Sequence, residues 1–170
     1  MEKELKNKKA AIIEETPTIP APTGIIEKAK VIAEIVSKLI EEKKLYHQIQ
    51  GRKYVKCEGW TTMGALFDLY PTITELKKEK NDREIIYTAT CEIRRTNGQT
   101  LTRAISSCSN MERGKRNMME FQIASMAQTR AVSKAFRIAL SWVMALAGYE
   151  STPAEEMKGG LICENTSKSK

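Results

Sequence analysis

Arg130, Lys134, Arg137 and Ser141 follow i, i+4, i+7 and i+11 spacing, which on a helix lines all four along one stripe. Cations about a turn apart can meet successive phosphates of a nucleic-acid backbone. Glu120 is the only acid in the same apolar stretch, so no i±4 carboxylate neutralises the row from within that helix. A solvated face of an amphipathic helix is the plain alternative. Neighbouring segments add cations: Arg94, Arg95 and Arg103 flank the turn Thr96-Asn97-Gly98, and Arg113, Lys115 and Arg116 crowd the loop N-M-E-R-G-K-R-N. A Gly-containing cationic loop is suited to closing over a strand of nucleic acid, although basic loops also serve solubility. The strand arginines can instead pair across a sheet with Glu92 or Glu84. Tyr54, Trp60 and Tyr87 are the aromatics nearest these cations that could stack on bases. Core packing competes for them, and Phe136 and Trp142 are read as core or subunit interface.

Other chemistries find little support. Cys57, Cys91, Cys108 and Cys163 form no C-x-x-C, and His47 is the only histidine, so neither a zinc site nor a disulfide framework is expected. The cysteines read most simply as small buried residues. Asp68 and Asp82 are the only aspartates. A metal-dependent nuclease could use Asp68 with Glu75-Leu76-Lys77 to hold Mg²⁺ and position water, but Glu-x-Lys arises by chance in any Lys/Glu-rich strand. There is no Walker-type Gly-Lys-Ser/Thr signature, which disfavours an ATP-driven recombinase. The sequence assigns no catalytic residue, no metal ligand and no cofactor.

The chain of 170 residues carries 28 Lys and Arg against 21 Asp and Glu, net +7, with 41% apolar residues. That suits one globular domain with additions at its ends. The excess is concentrated: residues 51–110 hold ten cations against seven anions, and residues 111–149 six against two. No apolar run reaches the roughly 18 residues of a membrane span, and no signal-peptide pattern follows the Lys-rich start, so a soluble cytoplasmic protein without a membrane partner is expected. Residues 1–24 end in T-P-T-I-P-A-P-T-G, whose prolines favour an extended linker, and residues 151–170 lack hydrophobic periodicity. Flexible arms are expected there, flanking a folded unit over 25–150.

Within that unit, apolar spacing predicts an amphipathic helix over 25–45. Two short strands around Gly51 follow, closed by Gly59, then a short helix capped by Thr61 or Thr62 and running through Leu69 to a stop at Pro71. Strands at about 72–80, 83–95 and 99–109 form a β-meander whose last turn is Asn-Gly. In its middle strand Ile85, Tyr87, Ala89, Cys91 and Ile93 share the face expected to be buried. A helix from about Met118 to Ala147, capped by Gly148, completes an α+β fold. That helix is apolar over most of its circumference and needs partners on several sides; a homo-oligomer supplies them, or the helix at 25–45 covers the remainder.

The passage Y-V-K-C-E-G-W-T-T-M-G-A-L-F (54–67), the meander with its Asn-Gly turn, and T-R-A-V-S-K-A-F-R-I-A-L (129–140) resemble the N-terminal annealing core of Rad52 and the Rad52-like single-strand annealing proteins of phages and related mobile elements. The resemblance spans about residues 46–149. It implies a β-β-α unit, a β-meander and a long helix, assembled into rings or filaments with single-stranded DNA in an outer basic groove. Lys134 and Arg137 match the family's DNA-gripping helix cations, while Ser133 stands where the family has another cation. The family's arginine after its Glu-Gly pair is missing after Glu58-Gly59, with Lys53, Lys56 or Arg52 as substitutes. The loop at 113–116 corresponds to a lysine-bearing loop beside the groove. By this resemblance the chain anneals complementary strands in recombination and repair without ATP, and a single-strand binding protein or a recombinase is a further partner. A protective single-strand binder, a double-stranded RNA-type module, or a structural protein assembling through Met118, Met119 and Met126 are the alternatives.

Overall fold

Residues 22–157 are described by a computed structural model. The elements run α1 (Pro22–Lys43), β1 (Tyr46–Ile49), β2 (Arg52–Val55), α2 (Cys57–Leu66), β3 (Leu69–Lys80), β4 (Ile85–Arg95), β5 (Thr100–Ser109), α3 (Glu120–Leu146) and a short turn α4 (Ala154–Met157). The fold is α+β: a two-stranded hairpin β1-β2, a three-stranded antiparallel sheet β3-β4-β5 and helices packed on them. No described helix is long and apolar enough to cross a membrane.

In α1, Ala29, Ile32, Ala33, Val36 and Ile40 are buried, the i, i+3, i+4, i+7 pattern of a helix with one face on a core. The hairpin turns on Gln50 and Gly51, both at positive φ, as a twist-matched two-residue turn requires. In the larger sheet the register sets Cys91 opposite Ile73 and Ala104. Ala89, Cys91, Ile93, Ala104 and Cys108 then share one core with Ile123, Ala127, Ala131 and Ala135 of α3. Small residues on both sides let helix and sheet approach closely. Burial pushes the thiols of Cys57 and Cys91 up to about 11, which holds both protonated at neutral pH.

Three expectations about boundaries are corrected. The short helix begins at Cys57 rather than Thr61, because Gly59 lies inside its first turn: a Cβ there would come within 2.4 Å of Val55 Cγ1. Thr61 and Thr62 donate to the Glu58 carbonyl instead of capping. The helix ends at Leu66, Asp68 takes a positive φ of 59°, and β3 starts at Leu69 with Pro71 inside it. Proline is tolerated there because β3 is an edge strand.

The folded unit also extends past its expected end. After Gly148 the chain bridges Glu150 to Tyr54, and Pro153 and Ala154 are buried, so residues 151–157 are packed structure. Tyr149 is buried and donates to the Ser37 carbonyl and to Glu41, and burial pushes its hydroxyl up to about 12. The remainder of the expected C-terminal tail, and all of the expected arm but Pro22–Gly24, lie outside the described residues.

Candidate nucleic-acid interface

β5 is an edge strand, and an uncovered edge presents unpaired carbonyls. α3 lies along it. Thr102 Oγ1 donates to the Ala135 carbonyl at 3.1 Å, Lys134 Nζ reaches the Ile105 carbonyl at 3.2 Å, and Arg130 Nη1 reaches that of Ser107 at 3.0 Å. Ile105 and Ser107 are two residues apart, so their carbonyls face the same way. Two members of the cation stripe therefore seal the sheet edge to α3.

Arg130 is committed further. Its guanidinium holds Glu112 through two bonds of 2.8 Å, and Glu112 also accepts from the Ser109 amide and from Lys115. Lys115 Nζ lies 3.2 Å from Cys108 Sγ. The side chains of Arg130 and Lys115 are only 14% and 9% exposed. Burial pushes the Glu112 carboxyl up, but the bonds from Arg130, Lys115 and the Ser109 amide outweigh it and leave it at about 2. Arg130 and Lys115, both expected to contact nucleic acid, are thus engaged inside the fold, sharing one carboxylate. Their carboxylate comes from the loop, not from α3, which is why the helix alone looked unpaired.

Other expected contacts divide by partner. Arg137 pairs with Glu156 at 2.7 Å and Arg94 with Glu92 at 2.8 Å. Lys53 pairs with Glu41 at 2.6 Å and stands 4.8 Å over the Tyr46 ring, and Lys56 donates to the Lys44 carbonyl. Arg52 lies 3.6 Å from Glu150. Arg52 and Lys53 belong to the separate two-stranded sheet and Lys56 follows it, and all three serve packing against α1 and the chain after α3. Arg95, Arg103, Arg113 and Arg116 are exposed.

Lys134 reaches the α3–β5 seam, with Arg137 next along α3 and Arg103 on the outer face of β5. Arg103 is two residues from Ile105, whose carbonyl Lys134 caps, and sits opposite Glu92 on the outer sheet face. Arg137 lies one turn beyond Lys134. Glu112 ties the loop bearing Arg113 and Arg116 to α3 at Arg130, so that loop lies at one end of the seam. Lys134 uses one of its three donors on Ile105 and keeps the others for solvent or a ligand.

Aromatic placement changes the stacking candidates. Trp60 and Tyr54 are buried, and Tyr87 donates to Glu120. The Trp60 indole N–H has no hydrogen-bond partner among the described residues. Tyr70, absent from the sequence-derived set, is 47% exposed and stands opposite Arg94, putting an aromatic face beside cations on the outer sheet surface. Its signal was the period-2 alternation, hidden because Pro71 put the strand's start three residues too late. Phe136 is core, and Trp142 is 44% exposed and shares a surface stripe with Ile138 and Leu146.

The nuclease alternative is not assembled. Asp68 accepts from Thr96 Oγ1 at 2.7 Å, and Glu75 pairs with Lys77 at 3.1 Å. Asp68 and Glu75 lie near opposite ends of an extended segment, roughly 20 Å apart by strand rise. No group of three potential metal-ligating side chains is found among the described residues. Neither a protein-family model nor a curated protein matches the sequence.

Proposed function

We propose that the chain binds single-stranded DNA along the α3–β5 seam and anneals complementary strands without ATP. The observation that carries this is the set of cations left at the surface once Glu112 has taken Arg130 and Lys115. Lys134 reaches the seam, with Arg137 next along α3, Arg103 on the outer face of β5, and Tyr70 and Arg94 on the adjoining sheet face. Cations beside an aromatic on an open sheet suit a single strand, since phosphates find charge and bases find a stacking surface without sequence readout. The order hairpin, helix, meander, long helix is also the one implied by the resemblance to the Rad52 core. Annealing asks for nothing more than extended strands with unpaired bases reachable by a complement.

Self-association accompanies this reading and rests on a separate observation. Ile138, Trp142 and Leu146, spaced i, i+4, i+8, form one exposed apolar stripe on α3, a face suited to a second copy in a ring or filament.

The test is fluorescence anisotropy of a labelled single-stranded oligonucleotide at several salt concentrations, with wild type and Lys134→Ala/Arg137→Ala. Wild-type affinity should fall with salt, and losing two phosphate contacts should flatten the log–log slope by about 1.4. Strand annealing with labelled complements should be lost in parallel. An unchanged slope and affinity in the double variant would remove the seam as the binding site.

A further inference from the structure

Arg137 is not bare in the free protein. The turn after α3 is anchored by buried Pro153 and Ala154 and by Glu155. Its Oε1 accepts the Cys57 amide at 2.9 Å at the start of α2, and its Oε2 accepts from the buried Ser133 hydroxyl at 3.0 Å. That anchorage delivers the next residue, Glu156, onto Arg137 at 2.7 Å. The two side chains are 27% and 32% exposed, and Arg137 is more open to water than Arg130 and Lys115, the cations of the Glu112 cluster. A carboxylate on a guanidinium uses the donor geometry that a phosphate diester would use.

We infer that Glu156 is an intrachain phosphate surrogate: it occupies Arg137 in the free protein and is displaced when a nucleic-acid phosphate binds. This rests on the seam being the nucleic-acid surface. The acidic turn sets a threshold for binding, because a ligand must offer Arg137 more than the tethered carboxylate does. Isolated anions then compete poorly, and a strand that engages Lys134, Arg103 and Arg137 together is favoured. Glu155 is a positioning residue that holds the turn in place.

The experiment is the same anisotropy titration on the full chain, comparing wild type, Glu156→Gln, Arg137→Ala and Arg137→Ala/Glu156→Gln. Circular-dichroism melts of each report folding, and Glu156→Ala serves as a second variant of the same carboxylate. Removing an exposed pairing of this kind should tighten binding about two- to fivefold at low salt. The gain should vanish in the Arg137→Ala background and shrink at high salt. Binding by Glu156→Gln where wild type fails to bind would be the strongest support. If wild type and Glu156→Gln bind equally while Arg137→Ala weakens binding, the surrogate role is overturned and the seam stands. A gain that persists in the Arg137→Ala background would also overturn it, as a generic charge effect. If no variant binds, the seam itself falls, and this inference with it.

Discussion

Replacing Glu112 by Gln isolates the largest electrostatic commitment in the fold. Glu112 sits at about 2 against its ordinary 4.5, a difference worth about 3 kcal/mol at 1.36 kcal/mol per tenfold. Its side chain is 30% exposed, so solvent screening trims that figure to about 2–3 kcal/mol. Because the folded value is depressed, this stability is fully present above about 4.5 and is lost as pH falls from there through about 2. Glutamine keeps an acceptor for one donor but leaves Arg130 and Lys115 without their counter-charge in a largely enclosed site. Urea denaturation followed by circular dichroism should therefore show Glu112→Gln less stable than wild type by about 2–3 kcal/mol at pH 7, narrowing to about 1 kcal/mol at pH 3. The other carboxylates titrate in both proteins and cancel in the difference. A gap below about 0.5 kcal/mol at pH 7, or one that does not change with pH, would refute a structural role for this cluster. It would also return Arg130 and Lys115 to the pool of ligand-binding cations.

Gly64→Ala would drive a Cβ within 2.2 Å of Phe136 Cε1. The ring is fully buried, so despite better helix propensity a net loss of about 1–2 kcal/mol is expected in the same melts; a neutral result would mean that α2 slides freely over α3. Tyr70→Ala should weaken single-strand binding about fivefold or more while leaving the salt slope unchanged, because stacking involves no counterion; a changed slope would place Tyr70 outside the stacking role. Trp142→Glu should lower the mass measured by light scattering, and an unchanged mass would remove the α3 stripe from the assembly interface.

Periodic features were legible in the sequence because they depend on one element at a time. The faces of α1 and β4 and the extent of α3 follow from apolar spacing, and the Asn-Gly turn from its backbone requirement. Positions whose meaning comes from a neighbour in space were misread. Gly59 resembles a turn glycine until Val55 packs against its Cα, and Pro71 resembles a helix stop until β3 is seen to lie at a sheet edge, where a missing N–H costs no ladder bond. Residues 151–157 have no periodicity to find, yet Pro153 and Ala154 are buried, with the turn at 154–157 packed against α3 and β2.

The candidate site was half legible for the same reason. Cations on one helix can be counted along the chain, but their counter-charges need not lie on that helix. Glu112 reaches Arg130 from a loop 18 residues away, and Glu156 reaches Arg137 from a turn 19 residues away. The two acids differ in the burial of the cations they hold, Arg130 and Lys115 being far more enclosed than Arg137. Glu112 is enclosed between two cations and fixes the loop, the sheet edge and α3 as one body. Glu156 holds a cation that is more open to water, and on the proposed function a polyanion exchanges with it there. A stripe that looks uniform in sequence thus divides into Arg130, held by a buried ion pair, and Lys134 and Arg137, which under the proposed function keep donors for a ligand. Substitutions at the first should register mainly in stability, and at the second mainly in the salt dependence of binding.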